Sequence, residues 1–577
     1  TGEIYIGGQE HFYMETQSIR VLPKGEDKEM DVYVSTQDPT YIQNLIATIL
    51  NVPSNRITCH VKRVGGAFGG KTTKTGNIAA ITAVAANKYV LFKSHSKVSE
   101  YDYTSSHATE RVGFMNDGRI TAVDVAYFSN AGCTPDDSVL VVEIALMNMD
   151  SAYRLPNVRC TGTACKTNLP SNTAFRGFGY PQAAFVTETW ISEVAIKCRI
   201  PPEKVREMNL YKDISQTHFR QEILARTLGM CWNECMEKSS YNSRRLAIEN
   251  FNKDNYWKKK GLAIIPMKFP IGSLAKFFGQ AAALVHIYLD GSVLVTHGGI
   301  EMGQGVHTKI MQIASRELGI PLSYIHICET NTSSVPNTQV SGGSLGTDVN
   351  GMAVKNACEI LMQRLLPIRS KNPKSSWKEW VSIPYRSFTW QQSISQFSCI
   401  PASLALSFDR ELNWETGEGN PVHYCVYGVA CSEVEIDCLT GDHKNLRTDI
   451  VIDFGCSINP AVDIGQIEGA FVQGLGLFTI EELKFSPNGV LYTRGPAQYK
   501  IPSVRDIPEQ FNVSLLSNVP NSCAIYSSKG VGEPALFLGS SIYFAIKDAV
   551  LSARRERGMS ELFTLNSPAT PEKIRMA

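Results

Sequence analysis

One carboxylate in this sequence sits where a proton could be handled. Glu533 lies in Lys529-Gly530-Val531-Gly532-Glu533-Pro534-Ala535-Leu536-Phe537. Apolar neighbours would desolvate the carboxyl, raise its pKa and poise it as a general base; a helix cap or a surface turn is the plainer alternative. Gly298-Gly299-Ile300-Glu301-Met302-Gly303-Gln304-Gly305 sets an amide, with two donors and an acceptor, among four glycines that let the backbone approach a ligand. Ser341-Gly342-Gly343-Ser344 combines hydroxyls with exposed N–H groups, a nest suited to oxyanions. Asn172 to Gly179 places Arg176 between Phe175 and Phe178. Each loop alone reads most simply as a turn, whereas several in one chain point to a ligand.

A fourth loop supports two incompatible chemistries. Gly65, four residues, Gly70, Lys71 and Thr72 satisfy the phosphate-binding spacing, in which backbone N–H groups wrap phosphates and the lysine reaches the outer ones. The same glycines would also let the backbone approach a different ligand. No H-E-x-x-H pattern occurs, so zinc-hydrolase chemistry lacks support.

The elements that must carry these loops have a mixed pattern. Met30 to Thr36, Ile57 to Arg63 and Ile120 to Phe128 are expected as strands, with helices over Asn77 to Asn87 and Ala183 to Cys198. A polar stretch between about Gln216 and Lys260, helical over Glu234 to Asn252, separates this half from strands that resume at Gly261. Ala283 to Leu289 and Ser292 to Thr296 flank Asp290-Gly291, the signature of a hairpin with a type I′ turn. The expected fold is α+β, with two domains at residues 1–227 and 228–577. Tyr385 to Arg410 lacks periodicity and is long for a loop.

Composition narrows the ligand. With 56 basic and 55 acidic residues among 577, nothing electrostatic favours a nucleic-acid or membrane partner. Fifteen cysteines without a C-x-x-C pair suit reduced thiols in the cytoplasm and argue against an iron–sulphur or zinc site in this chain. No apolar run is expected to span a bilayer. A start on Thr1 without Met suggests a piece of a longer protein.

Taken together, the motifs resemble the molybdenum-binding half of the xanthine dehydrogenase and aldehyde oxidase family. The likeness runs from Gly8-Gln9-Glu10-His11-Phe12-Tyr13 and the loop at Phe68, through Thr167 to Gly179 and Gly298 to Thr308. It continues through Ala430 to Asp437 and Asp463-Ile464-Gly465-Gln466 to Ser567 to Arg575. The resemblance implies two elongated, mixed domains with a molybdenum–molybdopterin cofactor at their interface. By motif, Gln37 would hydrogen-bond the metal's oxo ligand, and Phe68 and Gly69 would lie beside the metal. Arg176, Met302, Gly303, Gln304, the loop Gly343, Ser344, Leu345 and Gly346, Gln466 and Val531 would hold the pterin, and Glu533 would be the general base.

Within that family the purine-oxidising branch carries Glu and Arg where this chain has Thr72 and Ile144. Losing both should abolish selective purine binding and leave a neutral pocket for aldehydes and aromatic N-heterocycles. Phe178 matches a substrate-stacking aromatic, and Ser273, in place of Phe, implies a wider pocket. The aldehyde oxidase branch is therefore expected, with xanthine dehydrogenase and a cofactor-free scaffold as alternatives and nucleotide hydrolysis disfavoured. The resemblance further implies 2Fe-2S and FAD groups N-terminal to this chain, and a homodimer at full length. Segments 89–112 and 385–410 depart from the family pattern.

Overall fold

The computed structural model describes residues 1–25, 27–88, 92–95, 106–272, 280–386, 404–405, 412–517 and 519–577. Ser273, most of 385–410 and part of 89–112 lie outside the described residues.

Three sheets organise the chain. The first has its strands in the order Thr330–Asn331, Ile57–Val61, Glu29–Val34, Ser18–Lys24 and Phe92–His95. The expected strands at Met30 and Ile57 form its centre and pair in parallel. Its edge was not foreseen: Thr330–Asn331 comes from the distant half and pairs antiparallel with Val61 and His60. Helices Pro39–Leu50 and Thr75–Lys88 cover this sheet and close a separate apolar core around Val21, Val32, Ile42, Ile46 and Cys59. The second sheet orders Gly2–Ile6, Ser106–Phe114, Ile120–Gly132 and Val158–Lys166, with helices Ser138–Met147 and Tyr180–Cys198 against it.

The third sheet joins Lys258–Gly272, Val422–Asp437, His443–Asp453 and Gln510–Leu515. Its first two strands are long and almost continuously buried, because helices Ser540–Glu556 and Arg226–Lys238 pack on them. At Gly261 the helix comes so close that any side chain would strike the Ala545 carbonyl oxygen. The stretch Pro534–Glu556 is long and apolar enough to cross a membrane by composition, contrary to the expectation that no run would be. Of its apolar 18-residue window 89% is buried, which makes it a core element of this sheet's covering layer.

Two local expectations are corrected. The polar stretch around Glu234 to Asn252 is two helices, Arg226–Lys238 and Tyr241–Asp254, broken where Ser240 takes φ +51°. The hairpin of Ala283–Ile287 and Val293–His297 has no type I′ turn. Gly291 N–H donates to Tyr288 O at 2.9 Å and only Gly291, at φ +86°, is left-handed. This is a three-residue loop in which glycine supplies the bulge.

Candidate functional site

The four glycine loops converge. The loop after Ile57–Val61 turns through left-handed backbone at Gly66, Phe68 and Gly69. A side chain at Gly69 would strike the Ala174 carbonyl oxygen, so glycine is required for the contact with the 172–179 loop. Arg176 N–H then donates to Phe68 O at 3.0 Å and locks the two loops together. Gln37, which follows the Glu29–Val34 strand, ties a third. Its Oε1 accepts from Gly69 N–H at 3.0 Å and Lys71 N–H at 3.3 Å, and its Nε2 donates to Ser341 O at 2.9 Å.

Lys71 cannot serve a phosphate. Its side chain is fully buried, with Nζ donating to Glu15 O at 2.7 Å, paired with Glu15 Oε2 at 3.0 Å and lying over the Tyr13 ring. The phosphate-loop spacing is thus met by a structural cation turned into the core.

Arg176 joins both halves of the chain. Its Nε donates to Gly532 O, Nη1 to Gln473 Oε1 at 3.2 Å, and Nη2 to Gln466 O and Oε1 at 3.1 and 3.0 Å. Burial lowers its pKa to about 10, against an upward pull from Glu533, so it remains charged at neutral pH. Gln466 Nε2 reaches on to Gly303 O at 3.3 Å.

Glu533 faces this junction. Its Oε2 accepts from the Ser344 hydroxyl at 2.9 Å, and its Oε1 accepts from Gly177 N–H at 3.3 Å. Burial raises its pKa, while Ser344, Gly177 and Arg176 pull in the opposite direction. Desolvation wins, which is the state of a poised base. Val531, also buried, sits two residues upstream.

One expected ligand group is partly used within the protein. Gln304 folds back on its loop, accepting from Met302 N–H at 2.7 Å and donating to Ile300 O at 2.8 Å, which leaves one amide hydrogen for a ligand. The loop is organised by Glu301, which sequence reasoning passed over. Its carboxylate accepts from Gly303, Gly305 and His307 N–H at 2.9, 3.0 and 3.0 Å. Gly343 and Ser344 both take left-handed backbone before Leu345, and Gly346 begins the Gly346–Lys371 helix.

The substrate-side residues form a looser set. Thr72 Oγ1 donates to Gly69 O at 2.8 Å. Phe178, at φ +47°, follows the Arg176 loop, and the Ser138–Met147 helix bearing Ile144 packs beside it, its Val141 carbonyl excluding any side chain at Gly179.

Two family models, both described as a molybdopterin cofactor-binding domain, match this chain, one at residues 1–210 and the other at 234–508. Over its whole length the chain is 60% identical to aldehyde oxidase 1 of Macaca fascicularis and 59% identical to aldehyde oxidase of Homo sapiens. It spans 43% of the length of each. The chain comprises two molybdopterin cofactor-binding domains. The fold is shared more widely. Quinoline 2-oxidoreductase from Pseudomonas putida 86 superposes with a TM-score of 0.84 at 20% identity, over 99% of this chain and 75% of that one. Aldehyde oxidoreductase from Desulfovibrio gigas gives 0.82 at 22%, over 100% and 60%.

For molybdopterin cofactor-binding domains the group to be held is a molybdopterin, and the loops fit it. A β-carbon added at Gly303 or Gly342 would meet nothing within 4 Å, so both glycines face open space. Around that space stand a helix N-terminus, the spare amide hydrogens of Gln37 and Gln304, and the Arg176 guanidinium, all donors suited to an anionic, carbonyl-rich group. The family motif at Gly8 to Tyr13 works from behind. Gln9 Nε2 donates to Gln473 O at 2.8 Å and Glu481 Oε1 at 2.9 Å, and His11 Nε2 donates to Ala174 O at 2.7 Å.

Proposed function

We propose that this chain is the molybdenum hydroxylase portion of an aldehyde oxidase, converting aldehydes to carboxylic acids and hydroxylating aromatic N-heterocycles with oxygen derived from water. The observation that carries the reading is the placement of Glu533. A desolvated carboxylate is held by Ser344 and Gly177 and faces an open cradle lined by Gly303 and Gly342. When bound, molybdopterin supplies a two-electron redox centre that activates water. Gln37, Phe68 and Gly69 border that centre, and Arg176, Met302, Gly303, Gln304, the Gly343–Gly346 loop, Gln466 and Val531 hold the pterin.

Glu533 takes up a proton at its carboxylate as the carbon–oxygen bond forms, and Arg176 keeps that carboxylate facing the site through Gly532 O. Thr72, Ile144 and Phe178 border the substrate. The divide between the two cofactor-binding domains falls at residues 227 and 228. The 2Fe-2S and FAD groups, with O2 as final electron acceptor, belong to parts of the protein beyond this chain, which is a cytoplasmic homodimer at full length. The deciding experiment measures molybdenum per chain, intact mass and benzaldehyde oxidation on protein purified from its native source. Stoichiometric metal with turnover supports the reading; a metal-free, inactive polypeptide of this length would replace it with a scaffold.

A further inference from the structure

The loop that carries Glu533 is fastened to the cradle by a second route, three residues upstream of the base. Gly530 N–H donates to the Tyr424 hydroxyl oxygen at 2.9 Å, and Tyr424 O–H donates to Asp348 Oδ2 at 2.5 Å. Because the hydroxyl accepts from Gly530, its one proton goes to Asp348, and the two bonds run in one direction and reinforce each other. Asp348 lies in the first turn of the Gly346–Lys371 helix, whose N-terminus borders the cradle. Ser344, four residues earlier, already holds Glu533 by its hydroxyl. One short segment therefore takes hold of the base loop at both ends.

The surrounding contacts favour placement of the loop over plain core packing. Tyr424 and Cys425, consecutive in the Val422–Asp437 strand, hold consecutive residues of the loop. Lys529 Nζ donates to Cys425 O at 2.9 Å and pairs with Asp453 Oδ2 at 2.6 Å. Gly530 is pressed against the cradle, since a β-carbon there would stand 2.6 Å from Ser344 O. With no side chain to locate it, Gly530 is located by its N–H, and Tyr424 supplies the acceptor. The arrangement requires a buried carboxyl. Burial pushes the Asp348 pKa up to about 7 against downward pulls from Tyr424, the Ile525 N–H and Lys309. Lys309 is itself paired with Asp463 at 2.6 Å. An apolar residue would fill position 348 without that desolvation cost, so the carboxyl is explained by the hydroxyl it orients.

We propose that Tyr424 is a positioning residue for the base: with Asp348 orienting its hydroxyl, it fixes Gly530 and thereby aims Glu533 at the cradle. The proposal rests on reading Glu533 as the base of an aldehyde oxidase. Tyr424 and Asp348 act through Gly530 and not at the reacting atoms.

The test uses the full-length, molybdenum-loaded protein and reads molybdenum per chain, benzaldehyde kinetics per molybdenum, and hydrogen–deuterium exchange across residues 529–536. Tyr424→Phe keeps the ring and removes the hydroxyl. It should leave molybdenum content and KM within about twofold, lower kcat about tenfold and speed exchange at Gly530 about tenfold. Asp348→Ala should do the same, and Asp348→Asn, whose amide oxygen still accepts the Tyr424 proton, should recover most of the loss. An unchanged kcat per molybdenum in Tyr424→Phe, or lost molybdenum with a normal rate on the metal that remains, would reduce Tyr424 to a core residue and overturn the proposal. Equal losses in Asp348→Asn and Asp348→Ala would overturn it as well. Absence of benzaldehyde turnover in the wild type would remove the activity reading instead. Exchange then decides the placement by itself: faster exchange at Gly530 in Tyr424→Phe supports it, and unchanged protection overturns it.

Discussion

Ser344 and Glu533 grip each other twice. The serine hydroxyl donates to Glu533 Oε2 at 2.9 Å and accepts from the Glu533 backbone N–H at 3.0 Å. Ser344 pays for this with left-handed backbone, φ +59°, unusual for a residue with a β-carbon. One hydroxyl therefore fixes the direction of the base and moderates its acidity.

Ser344→Ala tests that coupling. The donated bond stabilises the ionised carboxylate, so removing it adds to the upward pull of burial. A base works only when deprotonated. The acidic limb of kcat/KM should move to higher pH, with the plateau rate far less affected. A profile that stays in place would separate Ser344 from the titration.

Glu533→Gln keeps the size and the Ser344 contact but cannot accept a proton. Molybdenum content should stay near that of the wild type while turnover falls roughly a thousandfold. Near-normal turnover would remove Glu533 from the assigned role.

Two glycines that look alike in sequence should behave differently. Gly342 faces open space, so Gly342→Ala should fold normally and lose bound cofactor, read as molybdenum per chain at an unchanged Tm. Gly69 has φ +108° and abuts the Ala174 carbonyl, so Gly69→Ala should cost roughly 2–4 kcal/mol of stability. A Tm loss confined to Gly342→Ala would reverse the assignment.

Glu481 provides a pH prediction away from the chemistry. It is buried with Gln9 and Tyr499 donating to it, and burial raises its pKa from 4.5 to about 8. The folded state then holds a proton that the unfolded chain has released. Its contribution to stability is complete below about 4.5 and is lost as pH rises through about 8. Glu481→Gln should flatten the fall of Tm across that window. An identical slope in the variant would show that other groups set it.

The glycine loops and Glu533 were legible because each is contiguous, so composition and spacing carry the signal. Glu301 was within reach: an acid inside a glycine loop, two, four and six residues before the N–H groups it accepts from. Gln473 could have been found as the residue two turns after Gln466, on the same helix face. Thr330–Asn331 was hidden because a two-residue strand has no periodicity to read. The hairpin turn failed on a smaller point, as Asp-Gly serves both a type I′ turn and a glycine bulge.

The edge pairing of Asn331 with His60 also sets an order of events during synthesis. The ribosome releases His60 and then makes roughly 270 more residues before the partner strand exists, a wait of about 15 to 50 seconds at ordinary elongation rates. Until then the first sheet presents an open edge at the strand leading into the Phe68 loop, a site for chaperone capture or mispairing. Cofactor loading therefore follows translation of nearly the whole chain, since Arg176 acquires its Gln466, Gln473 and Gly532 partners only near the end.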